Sequence, residues 1–208
     1  MRGKAPTPLQ WDIENEYFDK GYSVICGTDE AGRGPLCGPV AAAAVILPKG
    51  LILPGLNDSK KISEKKRDEL YDIIIENAVS YAIELVDNTV IDEINILNAA
   101  QLAMRKSIER LTPEADLALV DGNIARDFPC DAVTVIKGDA KSPNIAAASI
   151  LAKVTRDRLC LEHDALYPEY GIAKHKGYPT KEHMDAVRKY GPSPIHRLTF
   201  LKFLNSDK

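Results

Sequence analysis

A chain of 208 residues is long enough for one domain with a substantial core that needs neither disulfides nor a structural metal. Hydrophobic residues make up 45% and charged residues 27%, which excludes a wholly disordered chain. The 27 basic and 30 acidic side chains leave a net charge of −3, which neither demands nor excludes a nucleic-acid partner, so the distribution of charge along the chain has to decide.

Residues 1–20 read as an N-terminal appendage to a domain spanning 21–208, with a short helix around Trp11 to Phe18. They lack the apolar run of a signal peptide, and the longest apolar stretch, Val40 to Leu47, is too short to span a bilayer. Residues 22–28 (YSVICGT) and 39–47 (PVAAAAVIL) are short apolar strands joined by a turn rich in glycine and proline. Ser63 is placed to cap a helix through Asn77 that turns Leu70, Ile73 and Ile74 inward. Residues 79–86 alternate, with Val79, Tyr81, Ile83 and Leu85 as the half-buried set. A helical region follows from Thr89 to Leu111, then short strands at 117–121 (LALVD) and 132–136 (AVTVI). Ser142-Pro143 opens a long Ala-rich helix reaching about His163, and Thr180 caps a last amphipathic helix that Gly191 ends. The first three strands fit an antiparallel meander, whereas the later ones must join in parallel. The expectation is an α/β domain, a mixed sheet with helices packed on it.

Charge is unevenly spread. Residues 1–136 carry 14 basic and 22 acidic side chains, and residues 137–208 carry 13 and 8. A basic C-terminal third on an acidic body suggests a polyanion contact, although a solvated face explains the charge equally well. Cys26, Cys37, Cys130 and Cys160 form no C-x-x-C pair, and no histidine stands at zinc-ligand spacing from them. Cys26 and Cys37, in apolar or glycine-rich surroundings, are expected to be small buried thiols, and a reducing cytosol fits best.

Certain carboxylates fall where a core pattern would not put them. Asp29-Glu30 follows the apolar strand Val24-Ile25-Cys26, Asp121 ends the strand Leu117 to Val120, and Asp139 comes just after a third strand. Acids at three strand ends can converge at one sheet edge, where ligands of open α/β sheets bind. Carboxylates brought together repel unless cations balance them, and an oxygen-only donor set favours magnesium or manganese over zinc. Two such ions would clamp the attacking and leaving oxygens of a phosphodiester displacement. Each Asp taken alone is better read as a cap or a turn former; three at three strand ends weaken that reading, but spacing alone does not show that they meet.

The segment GTDEAGRGPLCGPV (27–40) joins the first two strands. Its glycines allow close backbone approach and leave N–H groups free, and Arg33 between two glycines is placed to face a phosphate. It matches neither a Walker loop nor G-x-G-x-x-G. A tight glycine-rich hairpin explains the same residues.

From about Tyr22 to Phe200 the chain resembles bacterial ribonuclease HII, the type 2 ribonuclease H family. The motifs are GTDEAGRGPLCGPV (27–40), NDSKKIS (57–63), LVDGN (119–123), IKGDAKSPNIAAASILAKVTRDR (136–158), HKGYPTKEH (175–183) and YGPSPIHRLTF (190–200). The resemblance implies a ribonuclease H-like fold: a five-stranded mixed sheet flanked by helices, with a helical C-terminal part from about residue 165. It implies hydrolysis of RNA in RNA–DNA hybrids and incision 5′ to single ribonucleotides in duplex DNA, leaving 3′-hydroxyl and 5′-phosphate ends.

By the same resemblance, Asp29, Glu30, Asp121 and Asp139 are the catalytic acids that bind Mg2+ or Mn2+ in a two-metal mechanism. Gly32, Arg33 and Gly34 sense the 2′-hydroxyl at the RNA–DNA junction, Tyr178 stacks on the following deoxyribose, and Ser59, Lys60 and Lys61 contact the backbone. The partner is an RNA–DNA hybrid or ribonucleotide-containing duplex DNA, met by a cytoplasmic monomer. Lys174, Lys176, Lys181, Arg188 and Arg197 are candidates for duplex backbone contacts. His163, His175, His183 and His196 are expected at the surface or bonded to backbone, and Asp157 in an ion pair with a neighbouring arginine. Two departures from the family pattern are Cys37, where a small residue such as alanine is expected, and Pro143-Asn144 beside the loop that carries Asp139. The competing readings are a related two-metal nuclease, such as a junction resolvase, and a non-catalytic nucleic-acid binding module. The four acids disfavour the last, because a pure binder gains nothing from repelling phosphate.

Overall fold

Five strands form one sheet in the order β3-β2-β1-β4-β5 in a computed structural model that describes residues 8–57, 59 and 62–205. They are β1 (Ile25–Ala31), β2 (Val40–Ile46), β3 (Ser80–Val86), β4 (Leu117–Asp121) and β5 (Asp131–Val135). β1, β2 and β3 pair antiparallel, while β4 joins β1 and β5 joins β4 in parallel, as the strand order in the sequence requires. The helices are α1 (Asp12–Asp19), α2 (Glu64–Asn77), α3 (Asn88–Glu109), α4 (Pro143–Leu166), α5 (Ile172–His175) and α6 (Lys181–Tyr190).

α3 covers one face of the sheet, where Ile91, Ala100, Met104 and Ile108 meet Ala42, Ala44 and Val120. α2 and α4 cover the other, through Leu70, Ile74, Ala147 and Leu151 against Ala43 and Val45. β2 is therefore buried along its whole length, which its unbroken VAAAAVI run reflects. A separate apolar cluster holds the C-terminal part on the body, with Leu36 and Cys37 packed among Tyr170, Ile172, Val187 and Leu201. Among the described residues no helix is long and apolar enough to cross a membrane.

Three expected caps are present. Ser63, Ser142 and Thr180 accept the N–H bonds of Lys66, Ile145 and His183 at the starts of α2, α4 and α6.

Other expectations need correction. β1 starts later than read, because the Asp116 carboxylate takes the N–H groups of Ser23 (2.7 Å) and Val24 (3.0 Å). It also runs through Asp29 and Glu30, which pair with Ala43 and Ala42. On β3, a sheet edge, the buried residues are Ala82 and Val86, which pack on the side of α3; Ile83 is half-buried as expected, while Tyr81, Leu85 and, just before the strand, Val79 are exposed. α3 breaks at Asn95, which has φ 65° and caps the second segment by accepting the N–H bonds of Leu97 and Asn98. Around α1, Trp11 is buried with Nε1 donating to the Leu51 carbonyl, and Glu14 is fully buried against the start of α4.

Candidate active site

β1 and β4 run parallel with Thr28 beside Val120, so Asp29 and Asp121 emerge at the same edge of the sheet. The chain leaves these strands towards opposite sides, β2 on one flank and β5 on the other, which opens a crevice between them. After β5 the backbone passes through Lys137 in the left-handed region and closes a 3-10 turn at Gly138–Ala140 that carries Asp139. The Gly138 N–H donates to Asp121 Oδ1 (2.7 Å), which ties that turn to the end of β4. A Cβ at Gly138 would sit 2.5 Å from Ile145 Cδ1, so glycine permits the approach.

A cleft of about 700 Å³ opens over this edge. Asp29, Glu30 and Asp121 line the cleft, and Asp139 is buried near enough for its charge to act on Asp29. Burial raises the Asp29 pKa well above the carboxylate range, and the charges of Glu30, Asp121 and Asp139 push it the same way; the opposing influence is the Glu30 N–H bond. Burial also raises Glu30, and the facing Arg33, 3.3 Å away, opposes the shift. The four carboxylates offer oxygen donors alone, a set that suits a hard divalent cation such as Mg2+ or Mn2+. The residues present fit that group.

The other wall is basic and hydroxylic. α4 presents Ser149, Lys153 and Arg156 to the cleft at i, i+4 and i+7, and α2 adds Arg67. Ser149 Oγ donates to Ser59 Oγ (2.8 Å), and Arg67 donates to the carbonyls of Ser59 and Ile62. Gly32, Arg33 and Gly34 form the rim, with Tyr178, 45% exposed, at its end. Lys60 and Lys61 lie outside the described residues. The sequence reading missed Arg67, Ser149, Lys153 and Arg156, although the helical spacing of the last three was a usable signal.

The segment 32–39 is not a tight hairpin. It is an eight-residue loop, with Gly32 at φ 99° and Gly38 at φ 74°, wrapped around the guanidinium of Arg197. Arg197 is 0% exposed, which removes it from the candidates for duplex contact. All five of its donors are used: Nε to Gly38 O, Nη1 to Arg33 O and Pro35 O, Nη2 to Gly32 O and Pro39 O, at 2.8–3.2 Å. Burial lowers its pKa to about 10. Of the other candidates, Lys174 and Lys181 are exposed and Arg188 partly so, each beside an acid of its own element or its neighbour, while Lys176 is largely covered. Asp157 pairs with Lys153 (2.6 Å) and, more distantly, Arg67; the helical i, i+4 geometry favours the lysine over Arg156 or Arg158.

Local spacing could not show that Cys37, His183 and His196 meet, yet their donor atoms lie within 4.8 Å of one another and all three residues are buried. Hydrogen bonds occupy the ring nitrogens. Ser193 N–H donates to His196 Nδ1 (3.0 Å), which leaves the proton on Nε2. That nitrogen donates to His183 Nε2 (3.1 Å), and His183 Nδ1 donates to the Tyr178 carbonyl (3.1 Å). Both histidines are buried rather than at the surface, and each bonds backbone, the alternative expected of them. His175 bonds backbone as expected, to Tyr170 O (2.9 Å) and Gly177 N (3.2 Å).

Comparison with known proteins matches this geometry to one family. The sequence model described as Ribonuclease HII matches residues 26–203. The ribonuclease HII of Ruminiclostridium cellulolyticum is 53% identical over 190 residues, covering 91% of this chain and 74% of that protein. The ribonuclease HII of Geobacter sulfurreducens is 53% identical over 195 residues, covering 94% and 90%. Among solved structures, ribonuclease H2 from Pyrococcus horikoshii superposes with a TM-score of 0.71 at 25% identity, covering 89% of this chain and 98% of that one. With the family sequence pattern running through both walls of the cleft and the fold shared from β1 to the C-terminal part, the chain belongs to the ribonuclease HII family, endoribonucleases that act on RNA–DNA hybrids.

Proposed function

We propose that the chain hydrolyses RNA in RNA–DNA hybrids and nicks duplex DNA 5′ to a single embedded ribonucleotide, with Asp29, Glu30, Asp121 and Asp139 holding two divalent cations. The observation that supports this is that Asp29, Glu30 and Asp121 line one cleft opposite Arg67 and Lys153, with Asp139 near enough for its charge to act on Asp29. Bound there, the cations supply Lewis acidity towards water and the phosphate oxygens.

The chain's own groups do the rest. Arg67 and Lys153 on the wall of α2 and α4 draw the phosphate into the cleft, and Ser59 and Ser149 offer hydroxyls to it. Arg197 holds the carbonyls of Gly32 and Arg33, and residues 32–34 line the cleft, which supports a role for this backbone in sensing the ribose 2′-hydroxyl, the group that separates RNA from DNA. The Tyr178 ring, against which a Cβ on Gly34 would lie at 3.2 Å, packs on the sugar that follows. A deoxyribose fits that flat contact, whereas a ribose adds a hydroxyl with no partner. Cleavage on the 5′ side leaves a 3′-hydroxyl and a 5′-phosphate. Lys60 and Lys61 belong to the same proposal as backbone contacts.

The test is incubation with duplex DNA carrying one ribonucleotide, with and without Mg2+ or Mn2+, and mapping of the nick. Asp29→Asn and Asp121→Asn are expected to lose about a hundredfold or more of the activity while still binding the duplex. Turnover by both variants at the wild-type rate rejects the assignment of the acids. Cutting of branched all-DNA substrates moves the reading to a junction resolvase.

A further inference from the structure

The two elements assigned above to reading the sugar junction, the 32–34 backbone and Tyr178, come from segments more than 140 residues apart in sequence. Their relative position has to be set by something that touches both. The dipeptide His196-Arg197 does. Arg197 takes five carbonyls of the 32–39 loop, as described. His196 reaches the other side through His183, which holds the Tyr178 carbonyl. The backbone adds to the link: Arg197 N–H donates to Leu36 O (2.8 Å), Gly38 N–H to Ile195 O (2.9 Å), and Leu36 N–H to Gly177 O (2.8 Å). Residues 36–38 are thereby clamped between 195–197 and the residue before Tyr178. There is little slack, since a Cβ on Gly177 would lie 2.9 Å from Cys37 Sγ and one on Gly34 3.2 Å from the Tyr178 ring.

We propose that His196-Arg197 is a positioning bracket that fixes the distance between the 32–34 backbone and Tyr178, so that preference for a ribose–deoxyribose junction depends on it while cation binding does not. The proposal rests on the reading of those two elements given above. A buried guanidinium suits the task because its planar fork spans five acceptors at fixed angles. A lysine keeps the charge but concentrates three donors on one atom, so it cannot hold the same carbonyls apart. The acids are held elsewhere, by β1, β4 and the turn at Gly138–Ala140.

The measurement is kcat/KM on duplex DNA with one ribonucleotide, divided by kcat/KM on a uniform RNA–DNA hybrid, with the Mn2+ concentration for half-activation read in parallel. Arg197→Lys is expected to lower that ratio about tenfold and to leave the Mn2+ midpoint unchanged. His196→Gln is expected to lower the ratio less, and it carries the test if circular dichroism shows that Arg197→Lys does not fold. Tyr178→Ala serves as the control for the reading itself and must lower the ratio. If Tyr178→Ala lowers it and neither bracket variant does, the bracket is overturned alone. If both rates fall together at constant ratio, the residues are merely structural and the bracket is again overturned. If Tyr178→Ala leaves the ratio unchanged, the reading has failed and the bracket goes with it.

Discussion

Burying Asp29 beside Glu30, Asp121 and Asp139 disfavours its charged form, since desolvation and three like charges act in the same direction. A carboxylate whose folded pKa lies above its unfolded one weakens the fold as pH rises through that interval, and above it the full penalty remains. Asp29→Asn in cation-free protein at pH 8 is therefore expected to be at least as stable as the parent, yet to lose the thermal stabilisation that Mg2+ or Mn2+ gives the parent. Melting curves in chelator and in excess cation check both, and a clearly less stable cation-free variant would show that the carboxylate is held by favourable bonds instead. His196 works with the opposite sign. Burial and the neighbouring His183 lower its pKa to about 4 from 6.5. The unfolded chain then takes up a proton between pH 6.5 and 4 that the folded chain refuses, so stability is full above the upper value and falls by at most about 3 kcal/mol towards the lower. His196→Gln should flatten that acid limb; urea unfolding at pH 7 and pH 4.5 compares the two losses.

The strands, the caps and the parallel joins follow from local patterns, because period, cap residues and breakers act within a few positions. The residues that hold the site together act over longer range, and no local pattern reports them. Asn144, which looked out of place in KGDAKSPN, accepts the Leu47 N–H through Oδ1 and donates to Glu14 through Nδ2, so it stitches α4 to β2 and α1. Glu14 also accepts from Ser142 Oγ (2.5 Å), the cap of α4. Arg197, legible only as one more basic residue, is the centre of the 32–39 loop. The carboxylates, by contrast, stood out in the sequence because an acid inside or at the end of an apolar strand, as at Asp29 in β1 and Asp121 in β4, breaks the pattern around it. Gly27 shows how tightly α4 sits on β1: a Cβ there would lie 2.2 Å from Ile145 N and 2.3 Å from Asn144 C, both backbone. Gly27→Ala must push the start of α4 outwards, and we expect a loss of about 3 kcal/mol in denaturant unfolding. Because the turn carrying Asp139 leads directly into that helix, Mn2+ half-activation should rise in the same variant.

Across the whole molecule, the acidic cleft and the basic C-terminal third pose opposite problems for a polyanion. The cleft repels phosphate until cations fill it, so the early attraction has to come from elsewhere. Lys174, Lys181, Lys189 and Arg188 stand on or beside α6, and three of them are paired with Glu182 or Asp185. Exposed pairs of this kind are screened by solvent and add little to the fold, so exchanging a carboxylate for a DNA phosphate disturbs little. Duplex binding should then weaken steeply with salt, through release of counterions from the phosphates that these residues replace. Lys181→Ala and Lys189→Ala are each expected to reduce the slope of log affinity against log salt by about one while leaving the junction preference unchanged. Binding isotherms of the cation-free protein across a salt series measure this without cleavage. An unchanged slope in the double variant would place the duplex on another face, and the basic third would then be no more than a solvated surface.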